Sequence, residues 1–113
     1  MIFGVPKELS EYKDTHEMRV GLSPMGVQEL IHYGAKVCVE SNAGEGAGFT
    51  DENYMKAGAA IVYSKEEAYR RADIVLKVRR PQPEEYSFIN DGQVILGFTE
   101  KVPGKKFNLT DGF

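Results

Sequence analysis

Asp73-Ile74-Val75-Leu76-Lys77-Val78-Arg79-Arg80-Pro81 is an apolar run closed by two arginines and a proline, with one lysine set inside it. Such a run reads as a strand buried on both faces, as in a parallel sheet covered by helices. A lysine there costs free energy unless its ammonium meets polar partners or water. Ligands of open parallel sheets bind outside the carboxyl ends of the strands, where the crossover direction switches. Lys77 lies at such an end and is the first candidate for chemistry. The alternative is that its stem covers apolar surface while the ammonium reaches solvent.

Outward from this strand, strand and helix patterns alternate. Residues 2–5 read as a first strand, stopped by Pro6, and the charged stretch 7–17 has no apolar period, so it predicts a surface loop. Ser23-Pro24 supplies a cap and a proline at the first helical position; Val27, Leu30 and Ile31 then share one face until Gly34. Residues 36–40 predict a strand and 42–48 a glycine-rich turn. Thr50 caps a short helix over 51–57, whose two leading acids suit the helix dipole. A third strand over 60–63 precedes Ser64 and Glu67, whose spacing is that of a capping box, and a helix reaching about Ala72. The fourth strand spans 73–78, a brief helix or turn 83–89, and a fifth strand 93–98.

That alternation implies right-handed crossovers and an α/β fold: a mainly parallel open sheet of five strands with helices on both faces, Rossmann-like or flavodoxin-like. Residues 1–98 form the α/β domain, and the polar stretch 99–113 is a tail or the start of a further domain. With no helix after the fifth strand, that edge of the sheet calls for a partner, a further domain or another subunit, and a homo-oligomer is expected.

Composition narrows the function classes. At 42% apolar and 27% charged, the 113 residues suit one ordinary globular domain rather than a disordered or membrane-spanning chain. A formal net charge of −3 offers no basic face for a phosphate backbone, so no nucleic-acid partner is expected. The segment 1–6 carries neither a basic leader nor a long apolar region, which predicts a cytoplasmic protein without membrane insertion. Cys38 is the one cysteine and lies in an apolar run, so it reads as a buried, inert thiol. His16 and His32 have no neighbouring ligand or triad partner in sequence, and no metal site is expected.

Two further stretches invite functional readings. In Gly44-Glu45-Gly46-Ala47-Gly48 the glycines are those of a phosphate cradle, but Phe49 stands where a third glycine belongs, and Asp51-Glu52 would repel a phosphate. A tight turn is the better reading. Arg19, after the polar loop, can project into the same crevice as Lys77: a guanidinium holds a carboxylate through paired hydrogen bonds, and an ammonium beside it polarises a carbonyl oxygen. Together they suit a small 2-oxo acid; the alternative is a surface pair of Arg19 with Glu17 or Glu8.

Ile2-Phe3-Gly4-Val5-Pro6-Lys7-Glu8, Glu17-x-Arg19-Val20, Ser23-Pro24-x-Gly26-Val27, Gly44-x-Gly46-Ala47-Gly48-Phe49-Thr50-Asp51, Ala57-Gly58-Ala59 and Leu76-Lys77-Val78-x-x-Pro81 follow one another in unbroken order. Together they resemble the amino-terminal domain shared by alanine dehydrogenases and the NAD-binding subunit of nicotinamide nucleotide transhydrogenases. The resemblance implies a substrate-side domain for a small 2-oxo or amino acid. Arg19 would hold its carboxylate, and Lys77 would contact the substrate and assist proton transfer. It also implies that NAD(P) is bound by a downstream nucleotide domain or partner subunit, with no cofactor site in this chain. Two positions depart from the family pattern: Arg80 stands where alanine dehydrogenases resemble an acid, and Glu100 where they carry a catalytic histidine. An unperturbed carboxylate is already ionised near neutral pH and is a poor acid. Nothing after Phe98 resembles a strand, a glycine fingerprint and an acidic ribose contact, so the isolated chain is expected to be inactive; Arg80, Glu100 and the short length motivate the alternative, a non-catalytic binding or interaction module that keeps the fold but has lost the chemistry.

Overall fold

The structure is a computed structural model that describes residues 1–9 and 19–97. His16, Glu17, Phe98, Glu100 and the stretch 99–113 lie outside the described residues. The order of elements is β1 (Ile2–Val5), α1 (Pro24–His32), β2 (Lys36–Glu40), α2 (Asp51–Ala57), β3 (Ala60–Val62), α3 (Lys65–Arg70), β4 (Ile74–Leu76) and β5 (Val94–Leu96). Short 3-10 turns at Glu45–Ala47 and Pro83–Phe88 complete it.

All strand pairs are parallel, in the order β3-β2-β1-β4-β5. The chain winds outward from β1 through β2 to β3, then crosses back through α3 to lay β4 on the other side of β1. The carboxyl ends of β1 and β4 therefore flank the switch point of the sheet. Chain order and the α/β pattern match the expected five-stranded fold.

Alternation along each strand divides the core between the two faces. Val37 and Val39 join Val5, Val27 and Tyr54 beneath α1 and α2, whereas Cys38 packs with Val62 and Ala68 beneath α3. On the α3 side of the other half-sheet, Tyr69, Ala72, Val75 and Ile95 form a cluster that Phe88 and Ile89 flank. Each fully buried large side chain of this kind contributes roughly 1.5–3 kcal/mol relative to exposure. Burial pushes the Cys38 thiol up, against a smaller opposing pull from the Arg71 guanidinium, so it is a packed rather than a reactive group.

The helix ends follow their cap residues. Ser23 accepts from the Gly26 amide at 3.1 Å with Pro24 at the first position, and Thr50 and Asn53 exchange reciprocal bonds. Ser64 accepts from the Glu67 amide at 3.1 Å. β4 is shorter than the apolar run predicts: it ends at Leu76, although the Lys77 amide still donates to the Leu96 carbonyl at 2.9 Å. α3 likewise ends at Arg70 rather than near Ala72. His32 is exposed at the end of α1, its ring edge-on to Tyr33.

Candidate functional site

Lys77 follows directly on β4, and its side chain continues on the α3 face that Val75 occupies two residues earlier. The ammonium does not reach solvent. The residue is 3% exposed, and Nζ lies 3.0 Å from Glu8 Oε1 and 3.1 Å from Glu85 Oε2. Glu85 Oε1 is 3.4 Å away. Both carboxylates are buried as well.

Each carboxylate is itself held. Glu8, just beyond β1, accepts from the Val78 amide at 2.8 Å and the Arg79 amide at 3.3 Å, so it closes the gap between the exits of β1 and β4. Glu85 occupies the third position of the Pro83–Phe88 turn and accepts from the Gln82 amide at 2.9 Å, the reciprocal half of a capping box. The Tyr69 hydroxyl donates to Glu85 at 3.1 Å; burial first, and then the Glu85 charge, hold this phenol well above its ordinary range.

Taking three ionised groups out of water costs several kcal/mol per ion before their attraction returns any of it. Such a cluster is a weak device for stability, and its place at the switch point marks it as the candidate site. Lys77 was legible as the lysine inside an apolar run. Glu85 and Tyr69 were missed. The Gln82-Pro83-x-Glu85 spacing, with proline at the first helical position, was a usable signal for Glu85. The sequence offers Glu8 a role as a surface partner for Arg19, and the structure corrects this: it is buried against Lys77, a partner too distant in sequence for any local pattern to indicate.

Arg19 is exposed. Two residues on, Gly21 lies against the Leu76–Lys77 peptide so closely that a Cβ there would overlap the Leu76 carbonyl. Two residues span at most about 7 Å of extended chain, so the Arg19 backbone is tethered near the exit of β4. On the far side Gly97, at φ 114°, packs its α-carbon onto the Lys77 carbonyl, again with no room for a Cβ. The two glycines clamp the Lys77 backbone.

The other sequence candidates do not join this cluster. Gly44–Gly48 forms a 3-10 turn closed by Gly48 at φ 89°. A Cβ at Gly44 would come within 2.6 Å of the Tyr54 ring, so the space a phosphate cradle would need is filled by a core aromatic. Asp51, at the start of α2, accepts from the Ser41 hydroxyl at 2.6 Å and the Asn42 amide at 2.8 Å. These residues do not fit a dinucleotide. A separate cavity of about 400 Å³ lies between α1 and α2, lined by Pro24, Gln28, Phe49, Asn53, Lys56 and Ala57, none of them a member of the buried cluster. Among the described residues no group of three or more His, Cys, Asp or Glu side chains could hold a metal ion, and no helix is long and apolar enough to cross a membrane.

The family described as alanine dehydrogenase/PNT, N-terminal domain, matches residues 4–111. The chain is 43% identical over 98 residues to an alanine dehydrogenase of Bacillus subtilis, covering 87% of this chain and 25% of that protein. It is 35% identical over 103 residues to one of Methanococcus maripaludis, covering 91% and 26%. Among solved structures, an L-alanine dehydrogenase superposes with a TM-score of 0.77 at 42% identity, over 84% of this chain and 25% of that one. A transhydrogenase from Sinorhizobium meliloti gives 0.74 at 37%, over 84% and 26%. The chain thus spans about a quarter of the length of the relatives it matches.

Proposed function

We propose, since this chain belongs to the alanine dehydrogenase/PNT N-terminal domain family and is an oxidoreductase-type domain, that it is the substrate side of an NAD(P)-dependent enzyme of that type. In this reading a small 2-oxo or amino acid sits at the switch point. Arg19 takes its carboxylate through paired hydrogen bonds, and Lys77 directs an N–H at its carbonyl or amino centre. The observation that carries the reading is the Lys77 ammonium held between the carboxyl ends of β1 and β4, where open parallel sheets bind their ligands.

Because Gly44 is packed against the Tyr54 ring, NAD(P) would be held by a further domain or a partner subunit, and the isolated chain would bind substrate without oxidising it. The assembled enzyme, cytoplasmic and homo-oligomeric in this reading, would join the two halves. Titrating the ¹⁵N-labelled chain with pyruvate tests it. Amide shifts are expected at Gly21, Val78 and Gly97, with binding weakened in Arg19→Ala; a spectrum unmoved by millimolar pyruvate sinks the proposal.

A second reading, a non-catalytic module, is favoured by one feature: two carboxylates already engage the Lys77 ammonium. It predicts that Lys77→Ala leaves the activity of any partner assembly unchanged, whereas the substrate reading predicts a large fall in kcat/KM.

A further inference from the structure

The cavity of about 400 Å³ between α1 and α2 lies apart from the ionic cluster and has the size of a small-molecule pocket. Each helix gives it one stripe of side chains. Pro24 and Gln28 stand four residues apart on α1, and Asn53, Lys56 and Ala57 share a face of α2. Phe49, just before α2, completes the lining, its ring edge-on to the buried Tyr54 ring. Near their carboxyl ends the two helices touch: a Cβ on Gly58 would come within 2.6 Å of Ile31 Cδ1.

Pro24, Phe49 and Ala57 supply half-buried apolar walls. Beside them stand donors. Asn53 accepts from the Thr50 amide through Oδ1 at 2.9 Å, which leaves its Nδ2 group to donate. Among the described residues of the lining only Lys56 is charged. Glu52 precedes it by four residues, the order and spacing that favour an ion pair along a helix. On α3 the same spacing is used twice, in Arg70–Glu66 at 3.6 Å and Arg71–Glu67 at 2.7 Å. Lys56 makes no such pair among the described residues, and its side chain lines the cavity instead. An ammonium and an amide donor beside apolar walls complement an anion with an apolar body. A single cation suits a single negative charge, and Asp51 and Glu52 at the start of α2 disfavour a higher one.

We propose that this cavity is a second binding site, for a small monocarboxylic acid with an aromatic body. The ring lies against Pro24, Phe49 and Ala57, and the carboxylate takes the Lys56 ammonium and the Asn53 amide. The site is independent of the substrate reading above, because none of its residues belongs to the ionic cluster.

The test uses the ¹⁵N-labelled 113-residue chain, with phenylacetate as the probe and phenylacetamide as its neutral counterpart. Phenylacetate is expected to shift the backbone amides of Gln28, Asn53, Lys56 and Ala57 saturably, with a Kd of about 1 mM, and to leave those of Val78 and Gly97 in place. The neutral probe should bind about five- to tenfold more weakly. Lys56→Met keeps the stem and removes the charge at an exposed position. It should lower the affinity for phenylacetate to that for the neutral probe, whose own affinity stays unchanged. Should this variant fail to fold, the two probes compared on the parent chain carry the same test. Equal affinity for both probes, no saturable shift at these residues, or shifts confined to Val78 and Gly97 overturns the proposal. Movement of the same amides on raising the protein concentration alone would assign the cavity to a second copy of the chain and overturn it too.

Discussion

Beneath α1 and α2, Val5, Val27, Val37, Val39 and Tyr54 meet in an apolar cluster, with the Tyr54 hydroxyl tethered to the Leu22 carbonyl at 2.8 Å. On the other face, beyond β1 and β4, Lys77, Glu8, Glu85 and Tyr69 are buried at similar depth but held by charge and directed hydrogen bonds. The first region tolerates small changes in side-chain position, because burial is non-directional and roughly proportional to area. The second does not: removing Lys77 leaves two buried carboxylates without their cation. Within one small sheet, apolar packing carries stability while the ionic cluster carries direction, and the two should fail differently.

The largest contrast comes from Lys77→Met. It should destabilise the chain by about 3–5 kcal/mol in urea unfolding, since two buried carboxylates would face each other without their cation. Adding Glu8→Gln and Glu85→Gln should recover most of that loss, which no apolar core deletion would allow. A cost below about 1 kcal/mol for Lys77→Met alone would show that the cluster is not an ion-paired unit.

Tyr54 sharpens the comparison from the apolar side. Burial, and then the Asp51 charge, push its phenol up to about 12 from an ordinary value of 10. The folded state therefore holds this proton more tightly than the unfolded chain. The stability it contributes is fully present below about pH 10 and is lost as pH rises through about 12. Tyr54→Phe should cost about 0.5–1.5 kcal/mol at neutral pH through the lost bond to Leu22 and should flatten the alkaline limb of stability against pH. An unchanged alkaline limb would assign it to other groups, Tyr69 first among them.

The smallest effect belongs to the surface. The Arg71–Glu67 pair, 2.7 Å apart one helical turn from each other at the end of α3, is half-exposed. Arg71→Ala should shift stability by only about 0.3–0.5 kcal/mol, vanishing in high salt. A larger, salt-resistant loss would mean that this exposed pair behaves as a buried one.

Much of the fold was legible before any coordinates. The period-2 apolar runs, Ser23-Pro24, Thr50 and Ser64 each marked an element that forms, because helix caps and strand alternation are local physics. Lys77 stood out for the same reason, as a cation inside a run that must be buried. Element ends were less legible: β4 stops at Leu76 although Val78 is also apolar, because Glu8, from beyond β1, takes the Val78 amide that a longer ladder would have used.

What the sequence determined by itself is the α/β layout, the family pattern and the identity of the cation at the sheet's exit, since each is written within a few residues of chain. Tertiary structure alone decided that this ammonium turns inward, that Glu8 and Glu85 receive it, and that Gly21 and Gly97 clamp its backbone. The reason is distance along the chain. Glu8 and Lys77 follow strands that become neighbours only after α3 carries the chain back across β1, and a buried charge finds its partners in that closed geometry rather than in its local sequence.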